Sequence, residues 1–143
     1  MEPGGFTGKC VRASKFCMGN TLCKKGLRNT VQMGLKIDEM YHKMETPNKV
    51  KIAISGCPNS CAEPAVRDIG LIGAGRGWNM LVGGTCGIRP RIGKELAKNL
   101  SDEEVIQIIG KILEYYKEKG IPKRMGSFIE EIGFDKFSKD ILR

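Results

Sequence analysis

Four cysteines in two distant pairs set the tightest constraint on how this chain folds. Cys17 and Cys23 are separated by five residues, Cys57 and Cys61 by three, and thirty-three residues lie between the pairs. If both pairs serve one centre, loops far apart in sequence must converge. A cubane [4Fe–4S] cluster needs four thiolates arriving from different directions, which paired cysteines on two separate loops supply. At the second pair Gly56 and Pro58 turn the chain, and the i, i+4 spacing is expected to place both sulfurs on one side of an incipient helix. Backbone N–H groups at such a turn are well placed to bond cluster sulfurs.

The rival readings of the cysteines fit the spacing less well. Structural zinc prefers short C-x2-C knuckles, and neither pair has one. The C-x-x-C-H of a c-type haem and the C-x-x-C of a thioredoxin-like redox site are also absent. Inert buried thiols remain the plain alternative, against which stands the fall of four of six cysteines into two glycine-flanked pairs. For Cys10 and Cys86, outside the pairs, the plain alternative prevails: a strand residue and a loop residue. A disulfide scaffold is disfavoured, because long helical patterns and a β-rich middle are not the loop-rich build of small secreted domains.

The apolar pattern predicts an α+β chain, with a small, mostly antiparallel sheet and helices packed on one face. The Gly/Pro-rich residues 1–7 read as a flexible lead-in, and 8–143 as a single domain. Residues 8–15 are a weak strand. From Leu22 to Met44, Leu27, Val31, Leu35, Met40 and Met44 recur at helical spacing, with Gly26 and Gly34 inside the stretch. A glycine in a helix either costs about 1 kcal/mol or makes room for something large. Strands follow at 50–55, 68–75 and 77–84, the last two joined as a hairpin through Gly75-Arg76-Gly77. Residues 92–99 and 102–119 read as helices. The second opens on Ser101 with Glu104 three residues on, buries Val105, Ile108, Ile109, Ile112, Leu113 and Tyr116, and stops at Gly120. Short helices at about 126–132 and 134–141 finish the chain. Met33, Met40 and Met44 read as packing residues, and His42 as facing solvent.

Lysine and arginine number 24 against 16 acidic residues, a formal charge of +8. Such an excess suits an anionic partner, although Lys111, Lys117, Lys119 and Lys123 look like ordinary outer helix faces. Nucleic acid is disfavoured, since no platform of stacking aromatics accompanies the charge. No apolar run approaches the roughly 20 residues of a membrane span. The first residues lack the basic start and apolar core of a secretory signal, so a soluble cytoplasmic location is expected.

The segment GCPNSCAEPAVRDIGLIG (56–73) resembles the sirohaem-binding signature of the nitrite and sulfite reductase family. VRASKFCMGNTLCKKGLRNT (11–30) resembles its first cysteine-pair segment, and WNMLVGGTCGIRPRIGKEL (78–96) its following strand and glycine-rich loop. SDEEVIQIIGKILEYYKEKG with GSFIEEIGF (101–134) resembles its C-terminal helices, so nearly all of the chain after residue 8 is covered. The resemblance implies that Cys17, Cys23, Cys57 and Cys61 hold a [4Fe–4S] cluster, with Cys61 shared as the axial ligand of sirohaem. It implies multi-electron reduction of sulfite or nitrite, fed by an electron-donor protein. The alternative is a cluster-only electron-transfer module without a catalytic site of its own.

Sirohaem carries many carboxylates, a natural partner for the positive charge. Arg12, Arg67, Arg89, Arg91 and Lys94 are the cations nearest the motifs. Arg12, Arg89 and Arg91 are nominated for carboxylate contacts, because the guanidinium fork matches that geometry. Asn59 is nominated for the cluster or the macrocycle, beside its plain role as a turn residue. Gly83 and Gly84 are expected to let the backbone approach a flat ligand, or else to end a strand. Two departures stand out. Met18 occupies a position that is commonly proline in the family. Full family members also place another α+β unit, with substrate-gripping cations, before the first pair, whereas here about sixteen residues precede Cys17. The expectation is a fragment, or a subunit whose open sheet edge pairs with a second copy or a partner that completes the site.

Overall fold

The computed structural model describes residues 8–142, so the lead-in expected at 1–7 lies outside the described residues. Five strands form one sheet in chain order: β1 (Lys15–Phe16), β2 (Ile52–Ser55), β3 (Ile69–Ala74), β4 (Gly77–Val82) and β5 (Lys94–Leu100). β1 and β3 flank β2 in parallel, while β3–β4, the longest ladder, and β4–β5 are antiparallel. The expected α+β class holds, with a mixed sheet.

Alternation along the strands sorts the two faces. Ile52, Ile54, Ile69, Leu71, Trp78, Met80 and Val82 form the core side together with α2 (Thr30–Tyr41), α3 (Asp102–Lys119), α4 (Met125–Ile132) and α5 (Phe134–Leu142). Asn29 caps α2 by accepting from the Gln32 N–H, and α3 carries the full capping box of Ser101 and Glu104. The six residues expected on the core face of α3 are all buried, and Lys111, Lys117, Lys119 and Lys123 are exposed. The opposite face, at Ala53 and Gly70, is covered by the chain running from Cys57 to Arg67. A Cβ on Gly70 would lie 2.2 Å from the Pro64 carbonyl oxygen.

Three expectations are corrected. Residues 92–99 do not form a helix: 94–100 is the edge strand β5, paired to β4 through Met80↔Ala97 and Trp78↔Leu100. Lys, Glu, Leu and Ala favour helix locally, but burying Leu96 and Leu100 against β4 overrides that propensity. The helix expected from Leu22 to Met44 spans only Thr30–Tyr41, preceded by the single turn α1 (Gly19–Leu22). Its buried face is Thr30, Met33, Gly34 and Ile37; Leu35 and Met40 are 59% and 57% exposed, and only Met44 of the expected stripe's far end packs on the core. The phase is set by Gly34, where a Cβ would meet the Phe16 ring at 2.3 Å. β4 ends at Val82, just before Gly83 and Gly84, and Gly84 is filled from within, its missing Cβ standing 2.3 Å from the Ala65 carbonyl oxygen. His42 caps the end of α2 and is half-buried.

One ion pair is buried at the start of β3. Asp68 is fully buried and accepts from the Arg124 guanidinium and the Lys51 N–H, each at 2.8 Å. Burial nevertheless pushes its carboxyl above the ordinary value, against the pull of Arg124.

Candidate functional site

The parallel strands place both cysteine pairs at one end of the sheet. Cys17 follows β1 and Cys57 follows β2, and adjacent parallel strands deliver their C-terminal loops side by side. The loops touch directly. The Gly56 N–H donates to Cys17 Sγ at 3.2 Å, and the Leu27 N–H donates to the Gly56 carbonyl at 2.8 Å. Close backbone approach is why glycine stands at three positions. A Cβ would meet Thr30 Oγ1 at 2.5 Å from Gly19, the Gly19 carbonyl carbon at 2.5 Å from Gly26, and the Gly19 Cα at 3.0 Å from Gly56.

All four paired cysteines line one cavity of about 230 Å³, together with Met18, Gly19, Gly26, Ser55, Gly56 and Asn59. Cys23 and Cys61 are exposed at its rim, while Cys17 and Cys57 are half-buried, and no disulfide joins any of the six cysteines. Among the described residues, no three His, Cys, Asp or Glu side chains are placed to hold a single metal ion. The four thiols ring a space instead. A ring of thiols, lined otherwise by backbone and small residues and with an N–H aimed at one sulfur, fits an iron–sulfur cluster.

The second pair reaches the cavity by a route other than an incipient helix. Two successive turns run from Cys57 to Glu63, closed by Ser60 N–H to the Cys57 carbonyl and Glu63 N–H to the Ser60 carbonyl. Ser60 and Glu63 take left-handed backbone conformations, at φ 56° and 58°. Such strain, about 1–3 kcal/mol for each residue, persists where the surroundings fix it. Here the Ser55 hydroxyl accepts from the buried Ala62 N–H at 3.0 Å, holding the turn from below.

The nominated cations stand elsewhere. Asn59 lines the cavity, but Arg12, Arg89 and Arg91 do not. Arg12 donates to the Gly8 carbonyl, and Arg67 pairs with Glu63 at 3.6 Å. Arg91 pairs with Glu130, whose carboxyl is held below its ordinary value chiefly by that hydrogen bond. The Lys94 ammonium lies over the Phe134 ring. Arg89 is exposed in the 86–90 loop, beside exposed Cys86. Cys10 makes an isolated bridge with Glu45, away from the cavity lining. Sequence reasoning passed over Ser55, Thr30 and Arg28, whose partners are backbone atoms of other segments that no local pattern announces.

Residues 7–143 match the family model described as the nitrite and sulphite reductase 4Fe-4S domain. The chain belongs to that family. The assimilatory-type sulfite reductase of Nitratidesulfovibrio vulgaris is 39% identical over 143 residues, covering 99% of this chain and 66% of that protein. The NAD(P)H nitrite reductase of Bacillus subtilis is 35% identical over 133 residues, covering 92% of this chain and 16% of that protein. The chain thus spans just under two thirds of the first relative and a small part of the second. The crystal structure of dissimilatory sulfite reductase I superposes with a TM-score of 0.87 at 18% identity, over 96% of this chain and 53% of that one, which shows a shared fold. Membership of this 4Fe-4S domain family supports an iron–sulfur cluster as cofactor and an oxidoreductase role. Among the described residues no helix is long and apolar enough to cross a membrane.

Proposed function

We propose that this chain is the cluster-bearing part of a sulfite or nitrite reductase, with Cys17, Cys23, Cys57 and Cys61 as ligands of one [4Fe–4S] cluster and Cys61 shared with sirohaem. The observation that carries it is the convergence of both cysteine pairs on one cavity. The cofactors, when bound, supply the electron store and the open iron for multi-electron reduction of the anion. The protein's part is to orient four thiolates, to aim the Gly56 N–H at Cys17 Sγ, and to leave Cys61 and Asn59 exposed at the rim.

For sirohaem carboxylates, Arg89 is the exposed nominee that makes no hydrogen bond or ion pair among the described residues, while Arg91 would have to leave Glu130 and Arg12 the Gly8 carbonyl. Substrate-gripping cations are proposed to come from a preceding unit or a partner subunit, and electrons from a donor protein. Residues 8–143 are proposed to act as one unit, in a reducing cytoplasm where six cysteines persist without disulfides.

The test is the optical and paramagnetic-resonance spectrum of protein co-expressed with sirohaem biosynthesis and purified without oxygen. The proposal expects a broad cluster absorption together with sharp porphyrin-type bands, the latter shifted or lost in Cys61→Ser. A cluster spectrum with no porphyrin bands would leave the cluster-only electron-transfer module as the correct reading.

A further inference from the structure

We propose that Arg28 is the positioning residue that fixes the distance between the two cysteine loops; the inference rests on the reading of the four cysteines as cluster ligands. Arg28 follows the first pair by five residues and joins three segments at once. Its Nε and one terminal nitrogen donate to the Ala74 and Gly75 carbonyls, both at 3.0 Å, which anchors it to the β3–β4 turn. Its own carbonyl accepts from the Asn20 N–H at 3.0 Å, closing residues 20–28, Cys23 among them, into a ring. Next to it, the Leu27 N–H bonds the Gly56 carbonyl at 2.8 Å, one residue before Cys57.

The packing leaves this brace no slack. A Cβ on Gly73 would lie 3.0 Å from Arg28 Cγ and 2.4 Å from the Gly56 carbonyl oxygen, and one on Gly56 would lie 3.2 Å from the Arg28 carbonyl oxygen. The arginine stem therefore runs between β3 and the first cysteine loop, with its planar fork spent on two successive carbonyls. A lysine gathers its donors on one ammonium nitrogen and has no fork, so it cannot reproduce the two bonds that Arg28 makes from separate nitrogens. Arg28 is not part of the cavity lining, so it acts on the thiolates only through the loops it joins.

The experiment compares wild type, Arg28→Ala and Arg28→Lys after anaerobic reconstitution, reading the rate of iron release to a chelator and the linewidth of the reduced cluster's paramagnetic signal. Urea denaturation of the apo-proteins runs alongside. Iron release about tenfold faster in Arg28→Ala, as for other groups that orient metal ligands, is expected, with Arg28→Lys in between and a broadened signal. The apo-protein midpoints are expected to stay close together. Release at the wild-type rate, or faster release that merely tracks a fall in apo-protein stability, would overturn the role of Arg28. A wild-type chain that takes up no cluster would overturn the ligand reading beneath it.

Discussion

Beneath α3, Tyr115, Tyr116, Phe128 and Phe137 meet with ring centroids 5.0 to 6.4 Å apart. Around the cysteine cavity the contacts run between backbones, through glycines with no space for a Cβ. The first region derives its strength from apolar area and tolerates changes of shape at moderate cost. The second has little area to offer and depends on position: thiols and N–H groups held by turns, two of them strained. A fold of this kind separates the stability of the scaffold from the precision of the site, so the two should fail independently.

The largest break comes from the aromatic side. Phe137→Ala should cost about 3–5 kcal/mol in urea denaturation of the apo-protein, since a fully buried ring leaves a cavity in a packed cluster. At the pH where the fold survives, the cysteine loops of that variant should still take up iron.

Next is Arg124→Met, which strips Asp68 of its guanidinium. Asp68 already titrates above its ordinary value of 3.8 because burial penalises the charged form. A carboxyl raised on folding holds its proton more tightly in the folded state. It therefore costs the fold nothing below the unfolded value and progressively more as pH rises through the folded one. Removing Arg124 raises the folded value further. The variant should lose about 2–3 kcal/mol at pH 7, with the gap to wild type shrinking as pH falls toward 4. A gap independent of pH would mean that Asp68 is not the group responsible.

Gly73→Ala reverses the pattern. Its new methyl would meet the Gly56 carbonyl oxygen at 2.4 Å, a backbone atom that cannot swing aside. A modest loss of about 1–2 kcal/mol in the apo-protein is expected. Iron content after reconstitution should fall far more than in Phe137→Ala. Equal iron content in the two variants would dissolve the distinction between the regions.

The smallest effect is Ser101→Ala, which removes the α3 cap. It should cost about 1 kcal/mol in urea and leave cluster uptake untouched.

Legibility from the sequence follows the same division. The cysteine spacing, the strands 50–55 to 77–84 and the capped α3 were readable, because each rests on a local signal: paired thiols, alternation, or a Ser-x-x-Glu start. The edge strand β5 was not, because KELAKNL carries helix-favouring residues and becomes a strand only through its pairing with β4. The phase of α2 was hidden for a similar reason. Its contact residue is Gly34, invisible to any count of apolar side chains, and Phe16 fills the space from another element. Arg28 was passed over, since the carbonyls it binds lie more than forty residues away. What the sequence leaves out is the long-range contact in which neither partner looks unusual alone.

The most direct measurement is the iron and sulfide content of anaerobically reconstituted wild type beside six single variants, one at each cysteine. The structure predicts about four of each per chain in wild type, Cys10→Ser and Cys86→Ser, and loss of the intact cluster in Cys17→Ser, Cys23→Ser, Cys57→Ser and Cys61→Ser. Full retention of iron and sulfide in those four serine variants would contradict it.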